Sequence, residues 1–138
     1  MESTTTHVLK TYHVVWYGIM IDTPDPVWPV IVLAVIQLVD GAISWKPVAF
    51  VAKCFEDVRF PRRWWWILSP IKFGAAAGLI AGISIPYLGL VTCVALILYF
   101  VVAIGMHIAA RDFGRNLLVN ATGMLAICVA TLLWCFLL

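Results

Sequence analysis

Polar positions are sparse along this chain and they cluster, so the stretches between clusters define its elements. Residues 73–110 contain no Asp, Glu, Lys or Arg. A single helix of that length would measure roughly 57 Å, against about 30 Å of bilayer hydrocarbon, so the run must turn. The GISIPYLG stretch at 82–89 supplies the turn, with Pro86 suited to open the next helix. Two spans result, at about 64–84 and 86–109. A third, 116–138, is uncharged throughout. The segment 27–45 reads as a minimal first span, apolar to Val39 and then carrying Asp40, Gly41 and Ser44 before Trp45 and Lys46. The expected fold is an all-α membrane protein. It is a four-transmembrane-helix bundle over residues 27–138, with a short interfacial segment between its first and second helices.

Composition points the same way. Of 138 residues, 64% are hydrophobic and 12% charged, and the mean hydropathy is +1.03. That leaves too little polar surface to coat a globule. Disordered, nucleic-acid-binding and soluble-enzyme classes are excluded, and a net charge of +2 implies no polyanionic partner. Residues 1–26 form an N-terminal tail. Its apolar piece, 13–21, is short and ends in Asp22, Pro24, Asp25 and Pro26 rather than a small-residue cleavage site, so an interfacial segment is expected. Residues 46–63 are the other non-spanning stretch, apolar on one side over 47–55 with Lys53, Glu56 and Asp57 nearby, which suits a helix on the membrane surface. Trp64, Trp65 and Trp66 beside Arg62 and Arg63 make an interfacial anchor.

Lysine and arginine set the orientation. Lys46, Lys53, Arg59, Arg62 and Arg63 precede the second span, and Arg111 and Arg115 precede the fourth, whereas the opposite side holds only Lys10. The asymmetry puts both basic loops in the cytoplasm and both termini outside, and the expected location is a bacterial-type plasma membrane.

Ionisable groups at membrane depth are costly, so they are the first residues to question. Three stand out: Asp40, Lys72 and His107. Lys72 lies about 13 Å in from Arg63 along its helix, and Asp40 about 9 Å in from Lys46. These depths suit an ion pair, which either fixes the docking of two helices or serves a site. His107 is a helix-end residue, and its functional reading is a proton-exchanging group, the role to which imidazole as a side chain is suited. Tyr99, Ser44 and Ser69 are candidate ligand-binding hydroxyls. No HxxxH or HExxH pair is present, so no metal site is expected. The cysteines Cys54, Cys93, Cys128 and Cys135 include no CxxC and read as small buried hydrophobes, against thiol exchange. Gly74, Gly78 and Gly82 give the second span a repeated GxxxG face for close helix packing, expected within the chain.

The order of pieces carries a resemblance. A first span ending in Asp40-Gly41 leads to an apolar surface segment, PIKFGAAAGL at 70–79, IPYLG at 85–89 and YFVVAIGMH at 99–107. This resembles the DoxX-like family of small four-helix membrane proteins over about residues 30–135, most closely from 65 to 112. The resemblance implies a compact bundle and association with membrane oxidoreductase assemblies, including small subunits of thiosulfate:quinone oxidoreductases. Lys72 and His107 match positions that recur as polar in the family.

Two functional readings follow. In the first, the chain is an accessory or anchoring subunit of a redox, quinone-linked membrane system, in contact with the lipid bilayer and with a partner oxidoreductase or a second copy. No cofactor is evident, with quinone or lipid as the occupants to consider. In the second, it is a membrane-embedded enzyme acting on a small lipophilic substrate through buried Asp40, Lys72 and His107. That reading requires these groups to converge on one cavity. A proton-coupled exporter using Asp40 is a third, weakened by the lack of inverted-repeat symmetry.

Overall fold

The computed structural model describes residues 7, 8, 10 and 23–138. The interfacial piece expected at 13–21 lies outside them. Among the described residues all regular structure is helical. Helix α1 (Trp28–Trp45) carries Pro29 in its first turn, where a missing N–H costs nothing. Its buried residues Val30, Leu33, Ala34, Gln37, Gly41 and Ser44 recur every three to four positions, one face of a helix. Helix α2 (Ala49–Asp57) follows, and a single 3-10 turn, Arg62–Trp64, leads into α3 (Trp65–Ala81). Helix α4 is Leu88–Ala109. The last helix, α5 (Thr122–Leu132), is continuous with π-helical turns Asn116–Ala121 before it and Leu133–Leu137 after it.

Among the described residues three helices are long and apolar enough to cross a membrane: Trp28–Trp45, Leu88–Ala109 and Asn116–Leu137. Their outward faces remain apolar, with Val91, Leu98 and Leu118 60%, 61% and 67% exposed. Lipid, not water, suits such a surface. Helix α3 has 17 residues and ends at Ala81, a turn earlier than the 64–84 span expected. The connection takes 82–87, so Pro86 lies within it and does not open α4. Tyr87, in the left-handed region at φ 64°, precedes α4 instead. The cause is close approach of two backbones. A Cβ on Gly82 would overlap the backbone of Gly89, and one on Gly78 would lie 2.6 Å from Thr92 Oγ1. The small-residue face of α3 thus packs on α4 of the same chain, while Gly74 has open space beside it.

The bundle has two distinct ends. At one, the Asp25 N–H donates to the Cys135 carbonyl (2.9 Å), Trp28 meets Trp134 edge-on at 5.9 Å, and Gly89 abuts Phe136. The other end collects the close of α1, all of α2, the start of α3, the close of α4 and the turn at Asn116. Every candidate polar residue except Tyr99 belongs to one of these segments. Between the ends lies a core built on Leu33, Leu79, Cys93, Leu96 and Cys128.

Candidate functional site

The α1–α3 contact places the first two candidates. Asp40 and Ser44 are one turn apart on α1, and both reach Lys72 of α3. Lys72 Nζ lies 2.7 Å from Asp40 Oδ2 and donates to Ser44 Oγ at 3.1 Å. The helices come this close because Gly41 has no side chain; a Cβ there would sit 3.0 Å from the Phe73 ring and 3.3 Å from Lys72 Cβ. Ser69 Oγ donates to the Gly41 carbonyl at 2.6 Å and locks the same contact. The Lys72 side chain is 8% exposed and that of Asp40 29%. Each charge is neutralised by the other, as membrane depth requires. Ammonium carries three donors. Asp40 and Ser44 take two, and the third has no partner among the described residues.

His107 owes its geometry to the end of α4. Arg111 turns into the left-handed region at φ 55°. Its N–H bonds the Ile108 carbonyl (3.0 Å), and the Asp112 N–H bonds the His107 carbonyl (2.9 Å), the two bonds of a Schellman motif. This reversal brings Asp112 back beneath the imidazole, where Asp112 Oδ2 lies 2.8 Å from His107 Nδ1. A carboxylate only accepts, so Nδ1 carries the proton and donates it. Nε2 points the other way, 3.8 Å from Cys54 Sγ on α2. Burial raises the Cys54 thiol above its ordinary range, as do the charges of Asp112 and Asp57, while that of Lys72 lowers it.

Helix α2 ends by the same device. Arg59 at φ 56° closes it, with the Arg59 N–H on the Glu56 carbonyl and the Phe60 N–H on the Phe55 carbonyl, both at 2.9 Å. Phe55 then stacks edge-on against Phe60 and Trp65 (6.3 and 5.2 Å), and Trp65 Nε1 donates to the Phe60 carbonyl at 2.9 Å. The outer face of α2 is held by Lys53–Asp57 and Arg62–Glu56 ion pairs. The ammonium of Lys53 is raised by its hydrogen bond to Asp57. Arg62 lies over Trp65 and Arg63 over Trp64.

Beneath α2 lies a cavity of about 480 Å³. Its walls are apolar side chains such as Val39, Phe50, Phe55, Phe100 and Met106, interrupted by Asp40, Lys72, Tyr99, His107, Cys54 and the Asn116–Asn120 pair. The two sites of the sequence reading, Asp40–Lys72 and His107, therefore border one space, and Tyr99 joins them. Ser44 and Ser69 are buried behind that wall, where they brace Lys72 and the α1 backbone. Sequence reasoning passed over Cys54 and Asp112. A carboxylate five residues after a histidine, across a helix end, was the available signal for Asp112; nothing local marked Cys54. It also missed Gln37, fully buried with neither amide atom bonded. Among the described residues no group of three His, Cys, Asp or Glu is arranged to hold a metal ion.

A family model described as the DoxX-like family matches residues 29–131. No curated protein and no solved structure matches the chain.

Proposed function

The chain belongs to the DoxX-like family and is an integral membrane protein, and we propose that it takes a small lipophilic molecule into the cavity beneath α2. The cavity itself carries this reading. At about 480 Å³ it falls within the size of ordinary ligand sites, mostly apolar with a few convergent polar groups. The spare Lys72 N–H is a donor for the carbonyl or hydroxyl head of such a molecule, while the apolar wall receives its body. Quinone or lipid is the class that fits these two demands. In a redox assembly the subunit would hold such a molecule for a partner oxidoreductase, the accessory role that the resemblance implies.

Helix α3 is the fourth span in this proposal. Its 17 residues measure about 26 Å, near the hydrocarbon thickness. It starts at the α2 end, directly after the Arg62–Trp64 turn, and finishes at Ala81 before the connection to α4, which supports a full crossing. The basic residues Lys46, Lys53, Arg59, Arg62, Arg63, Arg111 and Arg115 all belong to the segments of the α2 end. We assign that end to the cytoplasm and the termini to the opposite side.

The test is native mass spectrometry of the full chain after incubation with a decyl-tailed benzoquinone, decanol or phospholipid. Retention of the quinone or phospholipid by the parent protein, with loss in Ala103→Phe, which puts a ring into the cavity from its lining, is the expected result. Retention unchanged by Ala103→Phe would remove the proposal. For the accessory role, a redox enzyme should co-purify on native gels, and recovery only as a lone species counts against it.

A further inference from the structure

The groups around His107 form a second constellation in the same cavity, with its own chemistry. We propose that Cys54, His107 and Asp112 are an acyl-transfer site, with Cys54 as acceptor of a long-chain acyl group from an ester or thioester. The inference rests on the cavity taking lipophilic molecules and adds what is done to them there.

Three observations point to it. The order of groups is that of nucleophile, base and orienter: sulfur 3.8 Å from Nε2, and Nδ1 2.8 Å from the Asp112 carboxylate. Because Asp112 fixes the proton on Nδ1, Nε2 of the neutral ring is the acceptor facing the thiol. Cys54 and His107 both line the cavity, so an electrophile must be apolar enough to enter. Lastly, Lys72 lines the same cavity, near enough for its charge to act on Cys54, and a cation there favours negative charge developing on a carbonyl oxygen. Burial keeps the resting thiol protonated, so its attack depends on the neighbouring base.

The step balances without any further reagent. His107 Nε2 takes the thiol proton as Cys54 Sγ bonds to the acyl carbon. The carbon–oxygen or carbon–sulfur bond to the leaving group breaks. The imidazolium then protonates the departing alkoxide or thiolate, leaving a thioester on Cys54. Disulfide or sulfenate chemistry at the same sulfur would need an oxidant, whereas acyl transfer needs only the acyl donor. His107 is a catalytic residue here and Asp112 a positioning residue.

The experiment uses the full chain in nanodiscs with an alkyne-tagged palmitoyl thioester of N-acetylcysteamine. Intact mass and peptide mapping locate the label, and neutral hydroxylamine tests for a thioester. One hydroxylamine-labile acyl group on Cys54 is expected, with Cys93, Cys128 and Cys135 as internal controls. The initial rate should fall about a hundredfold in His107→Gln, the scale of a lost general base. Asp112→Asn keeps the hydrogen bond but reverses the tautomer, so it should be slow as well, and Asp112→Glu should restore the rate. Binding is followed separately with the unreactive methyl ketone of the same chain. If the ketone is retained and no label forms, acyl transfer is wrong and the cavity reading survives. If the ketone is not retained, both fall. Equal labelling in His107→Gln and the parent, or equal labelling of all four cysteines, would also overturn the proposal.

Discussion

Whether the Asp40–Lys72 pair holds the bundle together can be measured by removing each partner and then both. At 2.7 Å and an effective dielectric constant of about 20, Coulomb attraction between the two charges is roughly 6 kcal/mol. Desolvation cancels much of this, and more at Lys72, whose side chain is 8% exposed, than at Asp40, at 29%. Asp40→Asn strands a nearly buried cation and should cost about 3–5 kcal/mol. Lys72→Met leaves a carboxylate that is more accessible than the lysine, so its cost should be smaller, about 2 kcal/mol. The double variant should cost clearly less than the two together, with a coupling of about 2 kcal/mol. Unfolding in mixed micelles by increasing SDS fraction, followed by tryptophan fluorescence, gives all three values. Additivity within about 0.5 kcal/mol would refute the argument, because the charges would then have no net dependence on each other. So would a larger loss from Lys72→Met than from Asp40→Asn.

Four further outcomes follow from single features. Gln37→Leu should raise stability by about 1–3 kcal/mol, since it removes a buried amide without partners; a loss in the same SDS titration would mean the amide is satisfied by a bound molecule. Gly82→Val forces apart the α3 and α4 backbones and should abolish the folded species on size-exclusion chromatography, whereas Gly74→Ala, with open space beside it, should elute as the parent does. Arg111→Gly relieves a left-handed backbone and should stabilise by about 1 kcal/mol in thermal melts, and a lower melting temperature would show that the arginine side chain matters more than its φ. Because burial raises the Cys54 thiol, its thiolate fraction is below that of an unperturbed thiol at any pH short of the raised value. Iodoacetamide should therefore modify it slowly at neutrality and faster as pH rises past 9, and fast modification at pH 7 would contradict that state.

The helical architecture was legible because its cause is local. Charge spacing alone separates residues 73–110 from their neighbours, and a run too long for one span has to turn. Depth along a helix, counted from Arg63 and Lys46, was enough to bring Asp40 level with Lys72. The end of α3 was not legible, since it depends on Gly82 meeting Gly89, a contact between two helices that neither segment announces. His107 was legible as a titrating group but its partners were not. Asp112 reaches it only because Arg111 adopts a positive φ, and a β-turn-forming glycine, the usual sign of such a reversal, is missing there. Cys54 lies 53 residues away on a surface helix, and its lack of a CxxC partner spoke only against thiol exchange. Gln37 was hidden by its apolar neighbours, which define a span whether or not one amide interrupts it.

The division between the two ends of the bundle bears on function. At the Cys135 end, contacts are glycine against backbone and aromatic against aromatic, which tolerate no added volume. The α2 end is built differently. An ion pair, a histidine–carboxylate pair and an asparagine pair gather there around the cavity, and α2 lies across it. A bundle that needed only to pack could have closed this end with leucine and alanine at lower desolvation cost. Helix α2 covers it with Phe50 and Phe55, Phe55 stacking on Phe60 and Trp65 beyond the helix, while its Lys53, Glu56 and Asp57 engage each other or Arg62 on the outer side. Polar groups concentrated around one cavity, under a short helix tied down from outside, are what a site for lipophilic molecules requires. A passive membrane anchor requires none of them.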